Sequence, residues 1–153
     1  MSADVYIAGS WRNADGCCKV AEALHERGLS VYCFCHPRFA PLMFPPGSEL
    51  ARLTNEEFLS HPFVRRVFHN HKAALESCRA VVLVQPCGAS AHTEAGYAKG
   101  RGAKLVVFGD DLTEIAYNFA DFRTSDMNEL VDWLLANISK FKGEGGQNGV
   151  HTR

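Results

Sequence analysis

Residues 86–104 read PCGASAHTEAGYAKGRGAK, and they lie between two short apolar runs, AVVLV at 80–84 and LVVF at 105–108. Apolar runs of four or five residues bounded by turn formers have the length of buried strands rather than helices. The run at 80–84 has no polar position at all, as expected of a strand covered on both faces. The whole segment therefore reads as strand, glycine-rich turn, helix, strand. One acid, Glu94, falls in the first turns of that helix, beside the ends of the strands.

The same alternation continues outward. VYIA at 5–8 is a short strand that ends in Gly9 and Ser10, and Cys17, Val20, Ala21 and Leu24 then recur at helical spacing before Gly28 stops the helix. Residues 29–34 make a second strand, with Cys33 and Cys35 pointing to one face. A long connection follows at 36–53, rich in proline, and its length suggests a functional loop or lid. Its apolar residues Phe39, Leu42, Met43 and Phe44 either cap a pocket or cover the core. Thr54 and Glu57 form a capping box, Pro62 interrupts, and Val64, Val67, Phe68, His71, Ala74, Leu75 and Cys78 mark one face of a longer helix. Residues 110–119 read as a short helix. Asp126 and Glu129 cap a last one, with Met127, Leu130, Val131, Leu134, Leu135 and Ile138 along its stripe. Strands alternating with helices imply a parallel sheet covered on both faces, with ligands bound beyond the carboxyl ends of the strands. That singles out residues 9–13, 36 onward, 85–94 and 109–111. Residues 1–141 are expected to form one domain, and the glycine-rich residues 142–153 a disordered tail.

Bulk properties narrow the field. A chain of 153 residues with a net charge of −1 has no basic excess to hold a nucleic-acid polymer. No run approaches the roughly 20 apolar residues of a membrane helix, and the first residues lack the pattern of a signal peptide, so a cytoplasmic protein is expected. The six cysteines contain no CxxC pair, which gives a zinc or thioredoxin-type motif no support and suggests reduced, mostly buried thiols. His69 and His71 are two apart on a helix with no third ligand at a convincing spacing, so no metal is expected.

Ser90 is a good helix N-cap, and Glu94 then comes one residue too late to close a capping box. An acid in the first turn still gains about 0.3–1 kcal/mol from the helix dipole, which would account for Glu94 without any chemistry. The small residues Gly88, Ala89, Ala91, Ala95 and Gly96 leave room either for close helix packing or for a ligand beside the carboxylate. A carboxylate held in a cleft there can attack an electrophilic carbon such as a sugar C1′ and form a covalent intermediate, as retaining glycosidases do. Tyr6 could reach such a cleft. Strand alternation pairs it with Ala8 on one face but does not decide which face meets the site. Gly9, Ser10, Trp11 and Arg12 form a glycine turn before a helix, suited to a phosphate or a sugar hydroxyl. His92 could orient Glu94 or donate to a leaving base, although residues two apart do not share a helix face.

The stretches VYIAGSWRN at 5–13, PCGASAHTEAGYAKGRGAK at 86–104 and TEIAYNFAD at 113–121 resemble the nucleoside 2-deoxyribosyltransferase-like family, in its small branch with the pattern PCGxSAHxExG. The likeness covers most of residues 4–138. It implies an α/β fold, a Rossmann-like or flavodoxin-like three-layer sandwich with a mostly parallel sheet of about five strands, assembled as a homodimer or larger oligomer. It also implies cleavage or transfer of the N-glycosidic bond of a (deoxy)nucleoside or nucleoside 5′-monophosphate, without metal or organic cofactor. Glu94, in EAGYA, matches the family's nucleophile, and Tyr6 the tyrosine that positions it. Gly9, Ser10 and Arg12 match the phosphate loop of the related deoxynucleotide N-hydrolases, and Trp11, Gly88, Ser90 and His92 join them as substrate-binding candidates. Two departures stand out: relatives carry an aspartate near the position of His71 and another where this chain has Arg79. His71 can serve as proton donor instead, or Asp110 or Asp111 can. If neither does, the chain is a catalytically inactive nucleotide-binding or sensing module.

Overall fold

The computed structural model describes residues 2–44, 47–111 and 113–138; the tail expected at 142–153 lies outside them. Five strands make one sheet: β1 (Val5–Ala8), β2 (Val31–Cys33), β3 (Ala80–Val84), β4 (Lys104–Phe108) and β5 (Phe122–Thr124). All are parallel, in the order β2-β1-β3-β4-β5. The helices are α1 (Ala14–Glu26), α2 (Asn55–Ser60), α3 (Pro62–Ser77), α4 (Ala89–Gly100) and α5 (Met127–Asn137). The chain leaves β1 toward β2, then returns across β1 to β3. The order thus reverses at β1 and β3, and in doubly wound sheets the crevice at such a reversal is where ligands bind.

Period-two alternation sorts the strand side chains into two cores. Val5 and Ile7 of β1 pack with Cys17, Val20, Ala21 and Leu24 of α1 and with Leu130, Val131 and Leu134 of α5. Tyr6 and Ala8 face the other layer, with Ala74 and Leu75 of α3 and Ala91, Ala95 and Ala98 of α4. The result is a three-layer α/β sandwich of the Rossmann or flavodoxin kind. It also answers the question alternation left open, because Tyr6 points to the layer that carries Glu94.

The local signals mostly hold. Gly28, at φ 86°, adopts the left-handed conformation that lets the Leu29 amide turn back to the Leu24 carbonyl at 3.2 Å. The Thr54 to Glu57 capping box forms in full, and Pro62 opens α3 at its first turn. Asp126 caps α5 by accepting from the Glu129 amide.

Two expected elements are shorter than the sequence suggests. The second strand spans only Val31–Cys33, because the chain turns immediately: the His36 amide bonds Cys33 O at 3.2 Å, and the Cys33 amide bonds Phe39 O at 3.3 Å. The helix expected at 110–119 is reduced to a 3-10 turn at Ile115–Phe119. Upstream of it the Asp111 carboxylate accepts from the Thr113 amide and hydroxyl at 3.1 and 2.7 Å, which favours a turn over a helix. Among the described residues no helix is long and apolar enough to cross a membrane.

Candidate active site

A cleft of about 700 Å³ opens beyond the carboxyl end of β1, between the turn that follows it and helices α2, α3 and α4. Its volume is that of a small-molecule site. The walls are largely apolar and aromatic: Trp11, Phe34, Phe44, Phe58, Val64 and Phe68. Trp11 meets Phe34 edge to face at 5.5 Å, and Phe44 meets Phe58 likewise at 5.4 Å. The polar groups in this lining are few: Arg65, His69, His71, Ser90 and Glu94. Of the apolar residues in the 36–53 connection, Phe44 lines the cleft and Phe39 packs against the core, so the connection serves both of the roles open to it.

Helix α4 positions the acid, but not as the sequence suggests. Its N-cap is Gly88, in extended conformation at φ −108°, and not Ser90. Glycine can serve as a cap through its backbone alone, and the helix starts two residues earlier than a serine cap would allow. Ser90 thus sits within the first turn and lines the cleft. Glu94 moves into the second turn, so no acid occupies the first. The dipole acts mainly within that first turn, and the helix-dipole explanation for Glu94 is corrected accordingly.

What holds Glu94 is a set of side chains from other elements. The Tyr6 hydroxyl donates to Oε2 at 3.0 Å, and His71 Nδ1 lies 3.5 Å from Oε1. The Glu94 side chain is 24% exposed and that of His71 20%, so both are shielded yet reachable from the cleft. Tyr6 is fully buried. It pairs in register with Tyr32 of β2, and the two rings stack at 5.3 Å with 8° between their planes. His71 sets its ring against both, at 6.2 and 5.6 Å. Burial, and then the Glu94 carboxylate, push the Tyr6 phenol well above its ordinary value of 10.0. Tyr6 therefore remains a hydrogen-bond donor throughout the neutral range. Tyr32 is raised by the same two causes in the same order, and its buried hydroxyl has no hydrogen-bond partner among the described residues.

The remaining candidates divide. Gly9 and Trp11 line the cleft. A Cβ on Gly9 would collide with the Cys17 sulfur, so close packing of β1 on α1 also requires glycine there. Ser10 and Arg12 are not in the lining. The Ser10 hydroxyl accepts from the Arg12 amide at 3.2 Å, and Arg12 is exposed on the same turn. The turn is tied to the end of β3 by Asn13, whose Nδ2 donates to Gln85 O at 2.9 Å.

His92 turns away from Glu94, because residues two apart on a helix diverge. Its Nδ1 is 2.8 Å from Gly88 O, a carbonyl that can only accept, so the proton lies on Nδ1. Its Nε2 meets the Tyr117 hydroxyl at 3.1 Å, and that hydroxyl accepts from Gln85 Nε2 at 2.8 Å. The expectation that His92 orients Glu94 is corrected: it belongs, with Asp110 and Asp111, to a neighbouring hollow of about 470 Å³. Gly88 contributes through its carbonyl and its cap position. Arg79 precedes β3 at the amino end of the strands, where its amide bonds Asp4 O at 2.9 Å, so this departure from the family pattern does not touch the cleft.

Tyr32, Phe34, Phe58 and Arg65 went unmarked in the sequence reading. Only the apolar character of Tyr32 and Phe34 is visible in the sequence, as part of a strand; strand register sets Tyr32 beside Tyr6, and the turn after β2 sets Phe34 against Trp11 at the cleft. Comparison with family models and with curated proteins found no match for the chain.

Proposed function

We propose that this protein cleaves or transfers the N-glycosidic bond of a (deoxy)nucleoside or nucleoside 5′-monophosphate, with Glu94 as nucleophile. The observation that carries this reading is the Glu94 carboxylate facing an aromatic-walled cleft, bonded by Tyr6 at 3.0 Å and approached by His71 at 3.5 Å. A carboxylate oxygen attacks C1′, the C1′–N bond breaks, and its electron pair leaves with the base. The departing base takes a proton from His71 or from water. Water then attacks C1′ of the glycosyl ester to complete hydrolysis, or a second base attacks to complete transfer, and either route returns the Glu94 carboxylate.

The flat aromatic walls suit a nucleobase and the plane of a sugar. The amides at the start of α4 receive no side-chain cap, and with the Ser90 hydroxyl beside them they suit a 5′-phosphate. Arg65, in the cleft lining, is better placed to add a cation than Arg12. In this reading the enzyme needs no metal or organic cofactor for the glycosidic step and works in the cytoplasm. It assembles as a homodimer or larger oligomer, as the resemblance to the nucleoside 2-deoxyribosyltransferase-like proteins implies.

The test incubates the pure protein with deoxynucleosides, ribonucleosides and their monophosphates and follows free base by chromatography. Wild type releases base from at least one of them. Glu94→Gln reduces the rate by about 10⁴-fold or more, the scale seen when a nucleophile is removed. Release undiminished in Glu94→Gln removes the nucleophile assignment. Ligand-induced thermal stabilisation with no release from any substrate favours a nucleotide-sensing module, a reading encouraged by His71 standing where an acid is expected.

A further inference from the structure

Four of the six cysteines converge on the opposite face of the sheet from Tyr6 and Glu94. Cys17 and Cys18 are neighbours on α1, while Cys33 and Cys35 flank Phe34 where β2 ends. The Cys35 sulfur lies 3.6 Å from that of Cys33 and 3.8 Å from that of Cys18, and all three sulfurs fall within 4.8 Å of one another. Each is a free thiol. Among the described residues this is the one group of three or more His, Cys, Asp or Glu side chains whose ligand atoms meet in this way.

The triangle has the dimensions of a metal site. A point equidistant from three sulfurs so spaced lies about 2.1–2.4 Å from each, and a metal–thiolate bond is about 2.3 Å. The hydrogen bonds these thiols make to the backbone are long: 3.8 Å from Cys35 to Ala14 O and 3.9 Å from Cys18 to Cys35 O. Cys33 and Cys35 are buried, and Cys18 is half-buried, which leaves one route for an ion. Among the described residues no carboxylate or imidazole joins the three sulfurs, so the donor set is wholly soft and selects against magnesium, calcium and manganese.

We propose that Cys18, Cys33 and Cys35 form a three-thiolate site for a soft closed-shell cation, zinc(II) or copper(I). Each thiol that ligates loses its proton to solvent as its metal–sulfur bond forms, with no change of oxidation state. The ion clasps the start of α1 to the end of β2 and fixes Phe34, a wall of the cleft, between two of its ligands. The proposal does not rest on the glycosidic reading, since its sulfurs pack on the other face of the sheet from Glu94.

The experiment titrates the reduced full-length chain anaerobically with cobalt(II), as the zinc probe, and separately with copper(I), each against a competing chelator. Thiolate-to-metal charge-transfer absorption saturating at one equivalent is expected in at least one arm, and the arm that responds identifies the ion. Cys18→Ser, at the half-buried position, loses the band while retaining the circular dichroism spectrum of wild type. Cys78→Ser, outside the cluster, keeps the band. The proposal is overturned if neither ion gives the band, or if Cys18→Ser and Cys35→Ser both bind as wild type does. It is equally overturned if the metal-treated protein returns only a Cys18–Cys35 disulfide with no bound ion.

Discussion

At the scale of single residues, the carboxylate of Glu94 is defined by its donors. A hydrogen bond to a charged group contributes about 1.5–3 kcal/mol. Tyr6→Phe is therefore expected to lower kcat/KM for base release by roughly 10- to 100-fold, with a melting temperature close to that of wild type because the ring and its stacking on Tyr32 remain. An unchanged kcat/KM in this variant would show that the 3.0 Å contact does not serve catalysis. Tyr32 behaves differently. Its buried hydroxyl has no partner among the described residues, and removing an unsatisfied polar group is neutral or stabilising. Tyr32→Phe should melt no lower than wild type, and a clear drop by calorimetry would reveal a hydrogen bond that the fold alone does not display. Glu94 is legible as an acid early in a helix beside the strand ends, whereas alternation leaves the face of Tyr6 open and only the family resemblance implies its place beside Glu94. Tyr32 was not legible, since its role arises from pairing with Tyr6 across two strands. The cysteine cluster was hidden for the same reason: spacing rules look for ligands within one segment, and these come from positions 18, 33 and 35 on two elements.

At the scale of elements, the cleft wall depends on a helix too short to be stable alone. The six residues of α2 include Phe58 and Leu59, both in the cleft lining, and isolated helices of that length do not persist in water. Its capping box supplies three side-chain contacts, with Thr54 N and Oγ1 donating to Glu57 Oε2 at 2.9 and 3.0 Å and the Glu57 amide returning to Thr54 Oγ1 at 3.3 Å. Thr54→Ala should cost about 1 kcal/mol in denaturant unfolding and raise KM while leaving kcat nearly unchanged, since it loosens a wall and not the reacting groups. A fall in kcat with KM fixed would contradict that division. This cap, and the break at Pro62, were readable because caps and prolines act within a few residues. The start of α4 was not: a serine is the commoner cap, but Gly88 already takes the extended conformation a cap requires, and the two-residue shift changes the meaning of Glu94. The end of β2 was equally invisible, since the turn at Cys33–His36 rests on backbone bonds that residue type does not announce.

For the whole molecule, alternation of strands and helices was enough to imply a parallel sheet, because crossover connections leave little choice. Strand order is another matter, as nothing in a linear pattern says that the chain returns across β1 after β2, and the three-residue β5 is too brief to carry a period. The far edge of the sheet is held by an ionic staple. Asp121 accepts from the Leu105 amide at 2.8 Å and pairs with Lys99 Nζ at 2.9 Å. Burial raises its carboxyl, but the Leu105 amide and the Lys99 ammonium outweigh that and leave it below the ordinary 3.8. A depressed folded pKa gives stability that is present above the unfolded value and lost as pH falls through the folded one. Wild type should thus lose stability below about pH 4 more steeply than Asp121→Asn, a difference read from melting temperatures between pH 7 and pH 3. Parallel curves would remove Asp121 from that role. The two tryptophans of the chain are also unequally placed. Trp133 lies flat on Phe122 at 5.2 Å, whereas Trp11 borders the cleft against Phe34. The protein therefore carries its own optical gauge: an aromatic guest entering the cleft is expected to quench the first indole and leave the second glowing unchanged as the internal standard.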